Sequence, residues 1–86
     1  MVAKKVVIKN KTGLHARPAS NLVAFAKKFK CDVFITNGSK KANAKSIINI
    51  LTLGAKQGTE LEVSTDGEGE AEALKEIVSY IENLEE

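Results

Sequence analysis

The stretch Gly13-Leu14-His15-Ala16-Arg17-Pro18-Ala19-Ser20 sets the chain's only histidine shortly before an arginine and its only proline. Proline suits the first turn of a helix, where its missing N–H would have had no intrahelical partner and its fixed φ is already helical. Pro18 therefore predicts a helix beginning just after His15. Such a turn exposes backbone N–H groups, and aligned peptide dipoles add partial positive charge there. A phosphoryl group on the imidazole would meet the Ala16 amide and the Arg17 guanidinium, whose planar fork engages two phosphate oxygens and stays charged throughout. The attacking ring must be neutral, a state open to imidazole near pH 7. Phosphoryl transfer asks mainly for positioning and charge stabilisation, so a shallow surface site is enough if a partner supplies the remaining groups. The expected roles are phosphoryl acceptor and donor for His15, phosphate stabilisation for Arg17, a backbone donor for Ala16 and a helix start for Pro18. Thr12 and Ser20 flank the stretch and could hydrogen-bond phosphate or a partner. The competing reading is a histidine that merely caps the helix or packs in its loop.

A second stretch carries a different chemistry. Ser46 precedes Ile47-Ile48-Asn49-Ile50-Leu51, and serine is a favoured N-cap. Phosphorylated, it would hold close to two negative charges where a helix N-terminus tolerates them, so the fold would survive while acidic partners would be repelled. The following helix has more apolar circumference than one buried stripe needs. Ile47, Ile48 and Leu51 are therefore the expected exposed docking patch, with core filling as the alternative.

These residues need elements to hold them. Alternation of Val2, Val6 and Ile8 reads as a strand over 2–8, followed by a loop over 9–14. Leu22, Phe25, Ala26 and Phe29 space an amphipathic helix over 16–29. A strand over 31–36 meets the hairpin signal Asn37-Gly38 and a polar edge strand over 40–43. Ser46 then opens a helix over 47–53, with Gly54 as its left-handed cap. Leu61, Val63 and Thr65 mark a strand over 60–65, and Leu74, Ile77, Val78 and Ile81 a helix over 70–84. The order β-α-β-β-α-β-α predicts an α+β, two-layer open-faced sandwich. Its four-stranded antiparallel sheet has order 1-4-2-3, with three helices on one face. No linker or repeat divides the chain, so residues 1–86 are expected to form one domain.

Composition narrows the remaining classes. Eighty-six residues leave little room for a large substrate cavity, and neither a general-base pair nor a nucleotide loop is present, which argues against a self-sufficient enzyme. One cysteine, Cys31, and one histidine fall short of a metal-ligand set, so neither metal nor cofactor is expected; Cys31 reads as a small strand residue. The sequence shows neither a membrane span nor a signal-peptide core, which points to the cytoplasm. Residues 1–58 carry twelve Lys and Arg against Asp32 alone, whereas 59–86 carry Lys75 against ten acids. This division predicts a basic docking face for an acidic partner. Lys27, Lys28, Lys30, Lys40, Lys41 and Lys45 also raise a nucleic-acid-binding domain, but few aromatics and the absence of a G-x-x-G loop or zinc knuckle speak against it.

Gly13 to Ala19 resembles the active-site signature of the HPr family, the histidine-containing phosphocarriers of the phosphoenolpyruvate-dependent sugar phosphotransferase system. Lys45-Ser46-Ile47, continuing to Leu53-Gly54 and Gly58, is similar to the regulatory-serine segment of family forms that a dedicated serine kinase modifies. The resemblance covers essentially the whole chain. It implies that His15 takes phosphate on Nδ1 from enzyme I, itself charged by phosphoenolpyruvate, and passes it to IIA domains of sugar permeases. It also implies that phosphorylation of Ser46 by a serine kinase/phosphorylase inhibits the enzyme I reaction and favours a catabolite-control repressor of the LacI type. Many family members carry methionine where this chain has Ile48 and Leu51, and branched side chains adapt less readily to several partners. A monomer without nucleic-acid partner or membrane insertion is expected. The alternative is a purely regulatory binding protein acting through Ser46, although such relatives lack the histidine.

Overall fold

A computed structural model describes residues 1–84. Seven elements follow in the order β1 (Val2–Val7), α1 (Ala16–Ala26), β2 (Asp32–Asn37), β3 (Lys40–Asn43), α2 (Ile47–Leu51), β4 (Glu60–Asp66) and α3 (Glu70–Glu82). The sheet has the expected order β1-β4-β2-β3, every neighbour antiparallel. The crossover from β1 through α1 to β2 leaves the slot that β4 later fills.

Register decides which side chains meet the helices. Val6 stands opposite Leu61, and Val63 and Ala42 lie on either side of Ile35, all of them buried. Thr65 and Val33 form the next buried pair. The helices cover this face with Leu22, Ala26, Ile50, Ile77 and Ile81, each wholly buried. The opposite face carries Lys5, Glu62, Thr36 and Lys41 in one cross-strand row, with Lys41 lying 4.4 Å over the centroid of the Phe34 ring. Charge-rich rows of this kind suit a sheet face that meets water.

All three helices stop short of the predicted ends, for one reason. Past Ala26 the bonds Lys28 N–H to Phe25 C=O and Phe29 N–H to Ala26 C=O have i→i−3 spacing; Leu53 to Ile50 and Leu84 to Ile81 repeat it. The last turns tighten, and side chains there still reach the core. Phe29 accordingly packs edge-on against Phe25, their centroids 5.5 Å apart, although α1 has ended. Gly54, expected to cap α2, takes φ +65° two residues beyond the actual C-cap, Thr52. Cys31 is buried just ahead of β2 instead of within it. The β2–β3 hairpin is also shifted by one residue, since Asn37 pairs with Lys40 and the turn is Gly38-Ser39. Gly38 has φ +62° and leads the turn, the arrangement that spares Asn37 a left-handed backbone.

The start of α3 is closed by its own side chain. The Gly67 amide donates to Glu70 Oε1 at 3.0 Å, and the N-terminal ammonium of Met1 lies 3.3 Å from Glu70 Oε2. The Gly67 hydrogen bond and then the ammonium hold the Glu70 carboxyl below its ordinary value of 4.5. A carboxyl lowered by folding contributes stability above its unfolded pKa and loses it as pH falls through the folded value. Replacement Glu70→Gln should therefore lower the urea midpoint at pH 7, with the gap to the parent closing as acid takes the pH below that folded value. An equal gap at both ends of the titration would contradict this.

Candidate functional site

The segment that leaves β1 runs beside the one that enters β4. Ile8 exchanges backbone bonds with Thr59 at 2.9 Å and Gly58 at 2.8 Å, and the Gln57 side chain donates to the Lys9 carbonyl. Further along, the Leu14 amide donates to the Ala55 carbonyl at 3.0 Å. Between these ties Gly13 has φ +64°, and a Cβ there would lie 2.5 Å from both the Ala55 carbonyl oxygen and the Lys56 Cα. Only glycine meets both the backbone sign and the space.

His15 emerges from this seam between buried anchors. Leu14 on one side and Pro18 and Ala19 on the other are buried, while His15, Ala16 and Arg17 are exposed. His15 occupies the N-cap position of α1 with extended backbone, φ −89° and ψ −172°, yet its imidazole makes no capping bond. Its carbonyl accepts the first intrahelical bond, from the Ala19 amide at 2.8 Å. The Ala16 amide precedes that bond and Pro18 has no N–H, so the first turn leaves backbone donors next in sequence to His15. The N-terminus of a helix carries partial positive charge, and Arg17 belongs to this first turn.

Thr12 and Ser20 are both exposed. Ser20 shares a shallow hollow between α1 and α2 with Val23, Ala24, Lys27, Lys45 and Ile47, so the flank of the histidine helix continues onto the second helix. Ser46 caps α2: its hydroxyl accepts from the Asn49 amide at 3.4 Å and from Asn49 Nδ2 at 3.1 Å. Beyond it Ile47, Ile48 and Leu51 are 39%, 70% and 44% exposed, whereas Ile50 turns wholly inward. The surplus apolar surface of α2 thus lies outside the core. Lys45 reaches back to the Phe29 carbonyl at 2.7 Å and ties the approach to α2 to the turn that follows α1.

Four of the lysines have distinct surroundings. Lys27 and Lys45 line the hollow, Lys41 covers Phe34 on the open side of the sheet, and Lys30 lies 3.7 Å from Glu68. Among the described residues no three His, Cys, Asp or Glu side chains form a group able to hold a metal ion. Glu85 and Glu86, two of the acids counted in the charge division, lie outside the described residues.

Sequence reasoning missed the residues that orient the loop. Asn10 lies in a connecting segment and carries no sequence signal, but it is buried and its Nδ2 donates to the Gly13 carbonyl at 2.8 Å. Ala55 and Lys56 carry no chemical signal at all; they act through their backbone.

Comparison with known proteins finds relatives over nearly the whole chain. The family model described as the PTS HPr component phosphorylation site matches residues 2–83. Phosphocarrier protein HPr of Haemophilus influenzae is 44% identical over 85 residues, covering 99% of this chain and 100% of the relative. The HPr-like protein Crh of Bacillus subtilis is also 44% identical, over 82 residues, covering 95% of this chain and 96% of that relative. The crystal structure of HPr-C-His from Thermoanaerobacter tengcongensis has a TM-score of 0.91 to this fold at 46% identity, covering 95% of this chain and 92% of that one.

The contact at Gly13 makes a direct prediction. Replacement Gly13→Ala forces a side chain into a left-handed backbone and against the Ala55–Lys56 main chain, which should cost about 2–4 kcal/mol in urea unfolding. A variant within about 0.5 kcal/mol of the parent, the range of an ordinary surface change, would show that the seam does not constrain the loop.

Proposed function

The chain belongs to the HPr family of phosphocarrier proteins, and from that membership we propose that His15 accepts a phosphoryl group from enzyme I and donates it to the IIA domains of sugar permeases. The observation that carries this reading is an exposed imidazole, free of any capping bond, at the N-terminus of α1. Its relatives in Haemophilus influenzae and elsewhere are named as phosphocarriers, proteins that carry the group between enzymes.

A ring nitrogen, Nδ1 by family likeness, attacks phosphorus as the bond to the donor atom on enzyme I breaks and that atom takes the electron pair. Transfer onward repeats the exchange with His15 as leaving group. Arg17 and the Ala16 amide hold the phosphate oxygens in both directions, and Pro18 fixes the turn that presents them. Thr12 and Ser20 border the transferred group. Ile47, Ile48 and Leu51 supply the apolar contact to partners, with Lys27 and Lys45 beside them meeting acidic side chains.

Ser46 is the second phosphorylation site in this reading, modified by a serine kinase/phosphorylase and read by a catabolite-control repressor. Its hydroxyl already sits where α2 begins, and phosphate there adds negative charge beside the apolar patch without removing a core contact. The HPr-like protein Crh, likened to catabolite repression in a solved structure of the Bacillus subtilis protein, favours a second reading in which regulation through Ser46 is the whole function. The histidine at position 15 and its built surroundings favour the carrier. The separation of Lys41, over Phe34, from Lys27 and Lys45, in the hollow between α1 and α2, likewise disfavours one continuous nucleic-acid groove. We take the chain to act as one carrier domain, monomeric and cytoplasmic, meeting its partners one at a time. Solved structures of relatives include dimers of Crh and of HPr from Thermoanaerobacter tengcongensis, so elution as a dimer would correct the monomer assignment.

With purified enzyme I and labelled phosphoenolpyruvate, the parent protein should take up one acid-labile phosphate and His15→Ala none. Arg17→Ala should slow uptake about tenfold to a hundredfold, the effect of losing one charge-stabilising group. Ser46→Asp should slow it about tenfold through charge at the docking face, while keeping the N-cap and hence the melting temperature. Equal labelling of parent and His15→Ala would remove the carrier reading.

A further inference from the structure

The peptide unit joining Gly13 to Leu14 is held at both of its polar ends. Its carbonyl accepts from Asn10 Nδ2 at 2.8 Å, and its N–H donates to the Ala55 carbonyl at 3.0 Å. A second bond, from the Gly13 amide to the Asn10 carbonyl at 3.3 Å, closes the turn on the same residue. Bonds at both ends hold the peptide plane against rotation about its Cα–Cα axis, and His15 is the residue that follows Leu14.

Asn10 places a carboxamide inside the fold. Its residue is only 5% exposed, in a segment whose neighbours Lys9, Lys11 and Thr12 face solvent. Burying an amide side chain is costly unless its hydrogen bonds are made. A small apolar residue would fill the same space at less cost in desolvation but would give no donor to the Gly13 carbonyl.

We propose that Asn10 is a positioning residue for phosphoryl transfer at His15, acting through the Gly13–Leu14 peptide. It touches neither phosphate nor partner. Loss of its donor lets the peptide plane rock about the Leu14–Ala55 bond and spreads the ring over orientations that miss the in-line approach. Misplacement by an ångström is enough to slow such a transfer substantially. Docking is a separate matter, since Ile47, Ile48 and Leu51 lie on α2 and are not reached by this bond. The proposal rests on the carrier reading of His15.

The test compares Asn10→Asp, which keeps the shape and loses the donor, with Asn10→Ala, which avoids a buried charge, and Asn10→Ser, whose hydroxyl can still donate within such a turn. Three quantities are read on each full-length variant: amide hydrogen exchange at Leu14, single-turnover transfer from phosphorylated enzyme I, and the urea midpoint. The donor-less variants should speed Leu14 exchange and slow the transfer step, each about tenfold. The KM for enzyme I should hold, and Asn10→Ser should recover part of both losses. Parent-like exchange and transfer in Asn10→Asp and Asn10→Ala overturn the proposal, as does a raised KM with an unchanged transfer step. A transfer loss that only follows the unfolded fraction overturns it too. The carrier reading separates at the parent: no labelling there overturns that assignment and this role with it, whereas a labelled parent with unaffected variants overturns the role of Asn10 alone.

Discussion

Close approach of the Gly13 backbone to the Ala55–Lys56 main chain is the constraint on which the histidine site depends. No side chain fits at the contact, and the backbone sign there is one that glycine adopts without strain. Because the two strands of main chain touch, Leu14 can reach the Ala55 carbonyl and bury its own side chain, and the chain must then surface abruptly at His15 to begin α1. Exposure of the ring follows from that burial of its neighbours.

The topology of the sheet makes the contact possible. β4 runs antiparallel to β1 with Val7 opposite Glu60, so the residues leaving β1 and those entering β4 must lie side by side. The slot that receives β4 exists because β1 and β2 are separated by the α1 crossover. Asn37, at the end of β2, adds a third support by donating to the Leu53 carbonyl at 2.8 Å. The segment between α2 and β4 is thereby fixed from two sides, and it links the helix that Ser46 caps to the loop that presents His15. An open sheet face and a short second helix are compatible with this work, since neither has to enclose a substrate.

Most of the architecture was legible because its signals are local. Alternation gave the strands, apolar spacing gave the helices, and Pro18 lies in the first turn of α1 as expected. Helix ends were overrun where Phe29, Leu53 and Leu84 prolong the apolar rhythm into tightened turns, a change in hydrogen bonding that periodicity does not register. The hairpin slipped by one because Asn-Gly and Gly-Ser both offer a glycine to the turn, and pairing of Asn37 with Lys40 is settled only in the sheet. At the site, the chemistry-bearing residues His15, Arg17 and Ser46 announced themselves by type. Asn10, Ala55 and Lys56 did not, since their part is played by a carboxamide and two stretches of backbone that meet only after folding. Of the lysines in the basic part of the sequence, Lys27 and Lys45 share the hollow between α1 and α2, whereas Lys41 lies over Phe34.

A phosphate on this ring should be felt first by the main chain that follows it. With the protein labelled in 15N and phosphorylated by enzyme I, the account predicts phosphorus coupling to a His15 ring nitrogen. It also predicts a downfield move of the Ala16 amide proton, while amides of Lys5 and Glu62 on the open sheet face stay in place. Phosphorus on another residue, or a phosphorylated ring that leaves the Ala16 amide unmoved, would contradict it.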